Sequence, residues 1–185
     1  MWFVIVAVVV IALVAFGVMA FNKLRTADIG AQEALGGIDV QLTRRADLIP
    51  NLVNTVKGYA AHERGVFEEV TEARAGVAAA TRGGTVDERA QAQARLDKAI
   101  VNVLAVAEAY PDLKASMNFL QLQEQLADTE NQLAFARQYY NDAAAQLNKL
   151  VATVPWMFLA PMAKVERREF YEAPAGQETP PTVSF

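Results

Sequence analysis

Residues 119–154 read FLQLQEQLADTENQLAFARQYYNDAAAQLNKLVATV. Phe119, Leu122, Leu126, Thr129, Leu133, Ala136, Tyr140, Ala143, Leu147, Leu150 and Val154 recur at alternating spacings of three and four, and only Thr129 is not apolar. That spacing lays one narrow stripe along a helix, the seam of a coiled-coil packing, whereas a strand would alternate with period two. No stretch of the chain alternates in that way, so no sheet is expected.

Upstream of it, the apolar set Ala90, Ala94, Leu96, Ile100, Val103, Leu104, Ala107 and Tyr110 forms a second helix, punctuated by Pro111, with Ser116 as a candidate cap for the next. Thr85 and Glu88 have the spacing of a capping box, and Arg82-Gly83-Gly84 before them is a helix–helix turn. Further upstream, Ile38, Arg45, Leu52, Tyr59, Val66, Ala73 and Ala80 make one heptad row, and Leu42, Ile49, Val56, Glu63, Val70 and Val77 its companion. The rows predict one helix from 38 to 80, with Pro50 as a kink or a restart. Gly36-Gly37 is expected to be a hinge, because each Gly costs a helix interior about 0.5–1 kcal/mol relative to Ala.

Residues 1–21 carry no charge. As a helix they span roughly 31 Å at 1.5 Å per residue, the thickness of a bilayer's hydrocarbon core. No basic segment precedes the run, which favours a retained anchor over a cleaved signal. Lys23 and Arg25 follow it directly, so the positive-inside rule places the N-terminus outside and the remainder in the cytoplasm. The expected fold is all-α: an N-terminal transmembrane helix (1–21), a juxtamembrane segment or hinge (22–37), and a long antiparallel bundle of about three long coiled-coil-like helices (38–154). A hydrophobic and charged C-terminal segment (155–173) and a disordered tail (174–185), rich in Pro, Gly, Thr and Gln, complete the chain. With the bundle leading outward, back and outward again, Trp156, Phe158 and Leu159 are expected far from the membrane, as a contact surface for a neighbouring copy or a cap on their own bundle.

The net charge of -4 argues against a nucleic-acid partner, since phosphate binding needs a basic surface. With no Cys and one His, thiolate sites and disulfides are excluded, and no cofactor or metal is expected. His62-Glu63 opens like a zinc-protease helix, but Val66 stands where the second His would be. An enzyme is not expected. The candidate residues are instead structural or interactive. Arg45 and Glu63 place charge in seam positions, where a buried charge needs a partner and acts as a register device, with Glu63 or Glu130 as the candidate partner of Arg45. Glu130 and Asn131 interrupt the last seam beside Thr129. Arg137, Tyr139, Tyr140, Asn141 and Asp142 crowd polar and aromatic groups near the middle of that helix, as an interhelical network or a binding patch. Trp156 and Phe158 are the apolar candidates.

These blocks together resemble the LemA family: Ile38-Asp39-Val40-Gln41-Leu42 with Arg44-Arg45; Asp47 through Val53 (DLIPNLV); Val56-Lys57-Gly58-Tyr59-Ala60 with His62-Glu63; Thr71-Glu72-Ala73-Arg74; Ala105 through Lys114 (AVAEAYPDLK); Asn118-Phe119-Leu120; Thr129-Glu130-Asn131; Ala136-Arg137; and Tyr140-Asn141-Asp142. The resemblance implies a bacterial inner-membrane protein with one membrane helix and a cytoplasmic helical bundle, and a role in organising membranes. It carries over no catalytic residue. Two departures stand at the edges. Leu35-Gly36-Gly37 replaces a Trp-containing acidic stretch, and Met162 to Glu172 replaces a shorter ending, although Phe170-Tyr171-Glu172 resembles its close. The expected function is a membrane-anchored scaffold or adaptor that self-assembles as a homo-oligomer and organises membrane or envelope; the alternative is an adaptor or regulator of a membrane protease or envelope-stress system. The expected partners are the lipid bilayer, further copies of the chain and other membrane proteins.

Overall fold

A computed structural model describes residues 1–172, and the expectation of a disordered tail at 174–185 lies outside them. Six helices run in order: α1 (Trp2–Lys57), α2 (Arg64–Ala80), α3 (Val86–Glu108), α4 (Pro111–Lys114), α5 (Met117–Ala152) and α6 (Trp156–Ala163). There is no strand among the described residues. The chain divides into two compact units. One joins residues 1–36 to 138–170; the other comprises 37–137 and, among the described residues, Tyr171 and Glu172. The division at Gly36/Gly37 falls on the expected hinge, yet α1 runs through the pair as unbroken helix.

The second unit holds the bundle. From Ile38 to Val56 the expected seam is buried, with Ile38, Leu42, Arg45, Ile49, Leu52 and Val56 all inside. Each fully buried aliphatic side chain there is worth roughly 1.5–3 kcal/mol. The seam then breaks, contrary to the expectation of one helix to Ala80. The amides of Tyr59 and Ala60 both donate to the Val56 carbonyl, at 3.0 and 2.9 Å, and close off α1. Tyr59 is exposed and Glu63 becomes the N-cap of α2 without a side-chain cap bond, so neither lies in a continuous seam. The buried set of α2 is Phe67, Val70, Val77 and Ala80.

The ion pairs fix the directions. Lys57 lies over the ring of Phe67 and Arg74 reaches Ala46, so α2 runs antiparallel to α1. Arg89 meets Asp39 and Arg45 meets Asp97, so α3 runs parallel to α1. Arg45 meets Glu130, while Asn51 and Asn54 share a groove with Asn118 and Gln121, so α5 runs antiparallel to α1. The unit is therefore four helical arms in up-down-up-down order rather than three. Between α2 and α3, Gly83 takes φ +151° and the expected capping box forms, with Thr85 N donating to Glu88 Oε2 at 2.7 Å and Glu88 N to Thr85 Oγ1 at 3.1 Å.

The first unit pairs the beginning of α1 with the end of α5 and with α6. Leu24 and Ala31 of α1 pack with Leu147, Ala160, Ala163 and Val165. α6 closes on Lys164 in the left-handed region (φ 52°), and Val165 N donates back to Ala160 O at 3.0 Å, the six-to-one bond of a Schellman turn. Residues 1–19 are exposed in the isolated chain apart from Gly17, and α1 is the one helix among the described residues long and apolar enough to cross a membrane.

The break at Gly58–Glu63 also reverses the expected placement of the C-terminal apolar motif. It adds one turn to the path, so the end of α5 comes back to the start of α1. The ring of Trp156 lies 6.2 Å from that of Phe16, inside the uncharged run, and Lys23 Nζ sits 4.8 Å from the Trp156 ring centre. The motif packs beside the apolar N-terminal part of α1, and its inner side caps its own helices.

Candidate functional site

The residue set with chemistry in it is an ionic layer inside the bundle unit. α3 presents Arg89, Gln93, Leu96, Ile100, Val103 and Ala107 at spacings of three and four, and all six are buried. The first two are polar on a stripe that is otherwise apolar, so each needs a partner. Arg89 is held by Asp39, with Nε 2.6 Å from Oδ1 and Nη2 3.0 Å from Oδ2, a bidentate fork. Its Nη1 donates to the Gly84 carbonyl, which ties the ion pair to the α2–α3 turn. Gln93, fully buried, donates to Asp97 Oδ2 at 3.2 Å and accepts from the Tyr171 hydroxyl at 2.9 Å.

Arg45 lies at the centre. Its Nη2 is 3.1 Å from Asp97 Oδ1, and its Nη1 is paired with Glu130. Burial lowers the Arg45 pKa, opposed by the charge of Asp97 and assisted by that of Arg137. An arginine starts high enough to remain charged regardless. Glu130 also takes Arg137 Nη2 at 2.8 Å, and Arg137 Nε donates to the Leu133 carbonyl at 3.4 Å. Tyr171 is pushed well above the ordinary phenol value by burial, with Arg137 opposing the shift.

The structure brings Arg45, Glu130 and Arg137 together and pairs Arg45 with Glu130, one of its two candidate partners, joined by Asp97. Glu63 is elsewhere, half-buried at the start of α2. Asn131 is exposed, one step round α5 from Glu130. In the other unit Tyr140 is buried and donates from its hydroxyl to the Glu169 carbonyl at 2.8 Å. Asn141 is half-buried. Asp142 is exposed and lines a groove with Lys23, Thr26, Ala27 and Gly30. Trp156 is half-buried against Phe16, and Phe158 is 72% exposed.

Sequence reasoning misses Asp39, Arg89, Gln93, Asp97 and Tyr171. Arg89 and Gln93 carry a usable signal, since they continue the Leu96–Ile100–Val103–Ala107 stripe toward its N-terminus. Asp28 is missed as well; it is buried one turn after Leu24 and takes Arg168 Nη2 at 2.7 Å, while Arg168 N and O bond the side chain of Asn148 at 2.8 and 2.9 Å. Arg168 lies in coil, where no periodicity announces a partner. Among the described residues no group of three or more His, Cys, Asp or Glu side chains is placed to hold a metal ion.

An apolar N-terminal helix continuous with a bundle stapled by internal ion pairs defines a membrane-associated helical protein. The chain belongs to the LemA family, whose model matches residues 34–185. It is similar to the magnetosome protein MamQ of Magnetospirillum gryphiswaldense, 28% identical over 94% of this chain and 74% of that protein. It is likewise similar to the magnetosome protein MamQ 2 of Paramagnetospirillum magneticum, 27% identical over 92% of this chain and 71% of the relative.

Proposed function

We propose that the chain is a non-enzymatic scaffold that self-assembles on the cytoplasmic side of a bacterial inner membrane and organises membrane or envelope. The observation that carries this reading is a pair of exposed aromatics. Phe135 and Tyr139, one turn apart on α5, are 71% and 67% exposed. Large aromatics on an open helix face favour a protein contact. The ionic chemistry, by contrast, is spent inside the bundle, where the charges of Arg45, Arg89 and Arg137 are met by carboxylates of the same chain. Lys23 and Arg25 after the apolar run support the cytoplasmic placement of the bundle. Two relatives named as magnetosome proteins support a role in organising membranes.

The test is the mass of the complete detergent-solubilised assembly. Several copies are expected for the wild type, falling toward one in the Phe135→Ser, Tyr139→Ser double variant with an unchanged circular-dichroism spectrum. A monomeric wild type rules out self-assembly.

A further inference from the structure

We propose that α6 is a second membrane-contacting element, an interfacial helix that lies in the headgroup region beside the point where α1 leaves the bilayer. It rests on the reading of α1 as an anchor and adds to it a site on the folded domain itself.

α6, WMFLAPMA, has no polar residue. Its inner side, Trp156, Leu159, Ala160 and Ala163, packs against the start of α1 and the end of α5. Met157, Phe158, Pro161 and Met162 fall on the other side, within roughly 140° of arc at 3.6 residues per turn. The three large ones are 43%, 72% and 66% exposed, and Val154 just before the helix is 69% exposed. A helix that is apolar all round is found in a core or in a membrane, and half of this one has no protein cover among the described residues.

The neighbours of the helix say what the cover is. Trp156 touches Phe16, a residue of the uncharged run about 8 Å along α1 before that run ends at Phe21. The open face of α6 is thus continuous with the surface of α1 that the bilayer must cover. Lys23 stands over the Trp156 ring, an ammonium and an indole meeting at the level where both residue types collect in membrane proteins. Lys149 before the helix and Lys164 and Arg167 after it are exposed, and their charges suit anionic headgroups at its ends. A second copy is the weaker occupant. Four side chains on a helix about 12 Å long do not reach the roughly 800 Å² per partner of a stable interface.

Because the chain has no cysteine, single nitroxide labels can be placed in the full-length protein in phosphatidylcholine–phosphatidylglycerol vesicles. Phe158→Cys and Met162→Cys report α6, Val9→Cys the anchor, and Glu68→Cys an aqueous reference on α2. Labels on α6 are expected to relax with dissolved oxygen and to be shielded from a water-soluble nickel chelate, at a depth of roughly 5–10 Å. Nickel access at 158 and 162 equal to that at 68, with Val9 in lipid, overturns the interfacial helix and leaves the anchor standing. Nickel access at Val9 overturns the anchor reading instead. Protection from both reagents, with dipolar broadening between labels at 158, assigns the face to a second copy and overturns the proposal.

Discussion

Arg74 Nε donates to the carbonyl oxygen of Ala46 across 3.0 Å, from α2 to the middle of α1. In an uninterrupted helix that carbonyl would accept from the amide of residue 50, but residue 50 is proline and has none. α1 passes through Pro50 without ending because a side chain from the neighbouring helix supplies the missing donor. The two sequence blocks around Pro50 and Arg74 are therefore one structural device.

Removing the guanidinium should leave that carbonyl short of a donor. Arg74→Ala is expected to destabilise the bundle by about 1–2 kcal/mol. In a Pro50→Ala background the amide returns, and the same substitution should cost markedly less. Thermal melts of the four proteins of this cycle give the coupling, and equal costs in both backgrounds would detach Arg74 from Pro50.

Arg45 offers a second contrast. Arg45→Met leaves Asp97 and Glu130 without their shared cation in a buried layer. Glu130 retains Arg137 and some exposure, which reduces the cost to about 1–3 kcal/mol. Arg44 is exposed at the surface of α1, away from that layer, so Arg44→Ala should change stability by less than about 0.5 kcal/mol. Indistinguishable denaturation midpoints for the two variants would remove the ionic layer as a structural element.

How much of this is legible in the sequence depends on where periodicity operates. The seam at 119–147, the start of the seam at 38–56, the capping box at Thr85 and the apolar run at 1–21 are all readable, because each follows from spacing along one helix. The break between Lys57 and Arg64 is not, since Tyr59 and Glu63 keep the heptad count through it and only Gly58 hints at a stop. That single omission changes the number of arms from three to four and moves Trp156 from the far end of the bundle to the side of Phe16. Arg45 is recognisable as a buried charge, and Glu130 is one of its two candidate partners. Arg89 and Gln93 escape because the stripe through Ala90 and Ala94 runs one residue away from the buried face of α3, and Asp97, half-buried on that stripe, reads only as a break in its apolar pattern.

Tyr171 makes stability depend on alkaline pH. Its folded pKa is raised above the unfolded value of about 10, so the neutral phenol is the form the fold prefers. That contribution is fully present below pH about 10 and is lost as pH rises from there toward the folded value. Tyr171→Phe should lose about 1 kcal/mol at neutral pH with the hydrogen bond to Gln93, and lose less than wild type between pH 9 and about 11. Parallel stability curves for the two proteins over that range would place the phenol in solvent.

Two glycine positions of opposite character supply the remaining prediction. At Gly36 and Gly37 a Cβ would meet nothing within 4 Å, and neither has positive φ, although the division between the two units falls between them. Glycine is there at a cost to the helix, and each change to Ala should stabilise α1 by about 0.5–1 kcal/mol. At Gly84 a Cβ would stand 2.8 Å from the Ala80 carbonyl oxygen and 3.0 Å from the Glu88 carboxylate, on a turn that already needs φ +151° at Gly83. The first neighbour is backbone and cannot yield, and the second is committed to the capping box. Gly84→Ala should therefore destabilise the α2–α3 hairpin by about 1–3 kcal/mol. Hydrogen exchange reads both at once: slower exchange at 36–41 in Gly36→Ala, and faster exchange across 77–92 in Gly84→Ala. Faster exchange at 36–41 in the first variant would mean that the pair requires a conformation open only to glycine, and that α1 bends there.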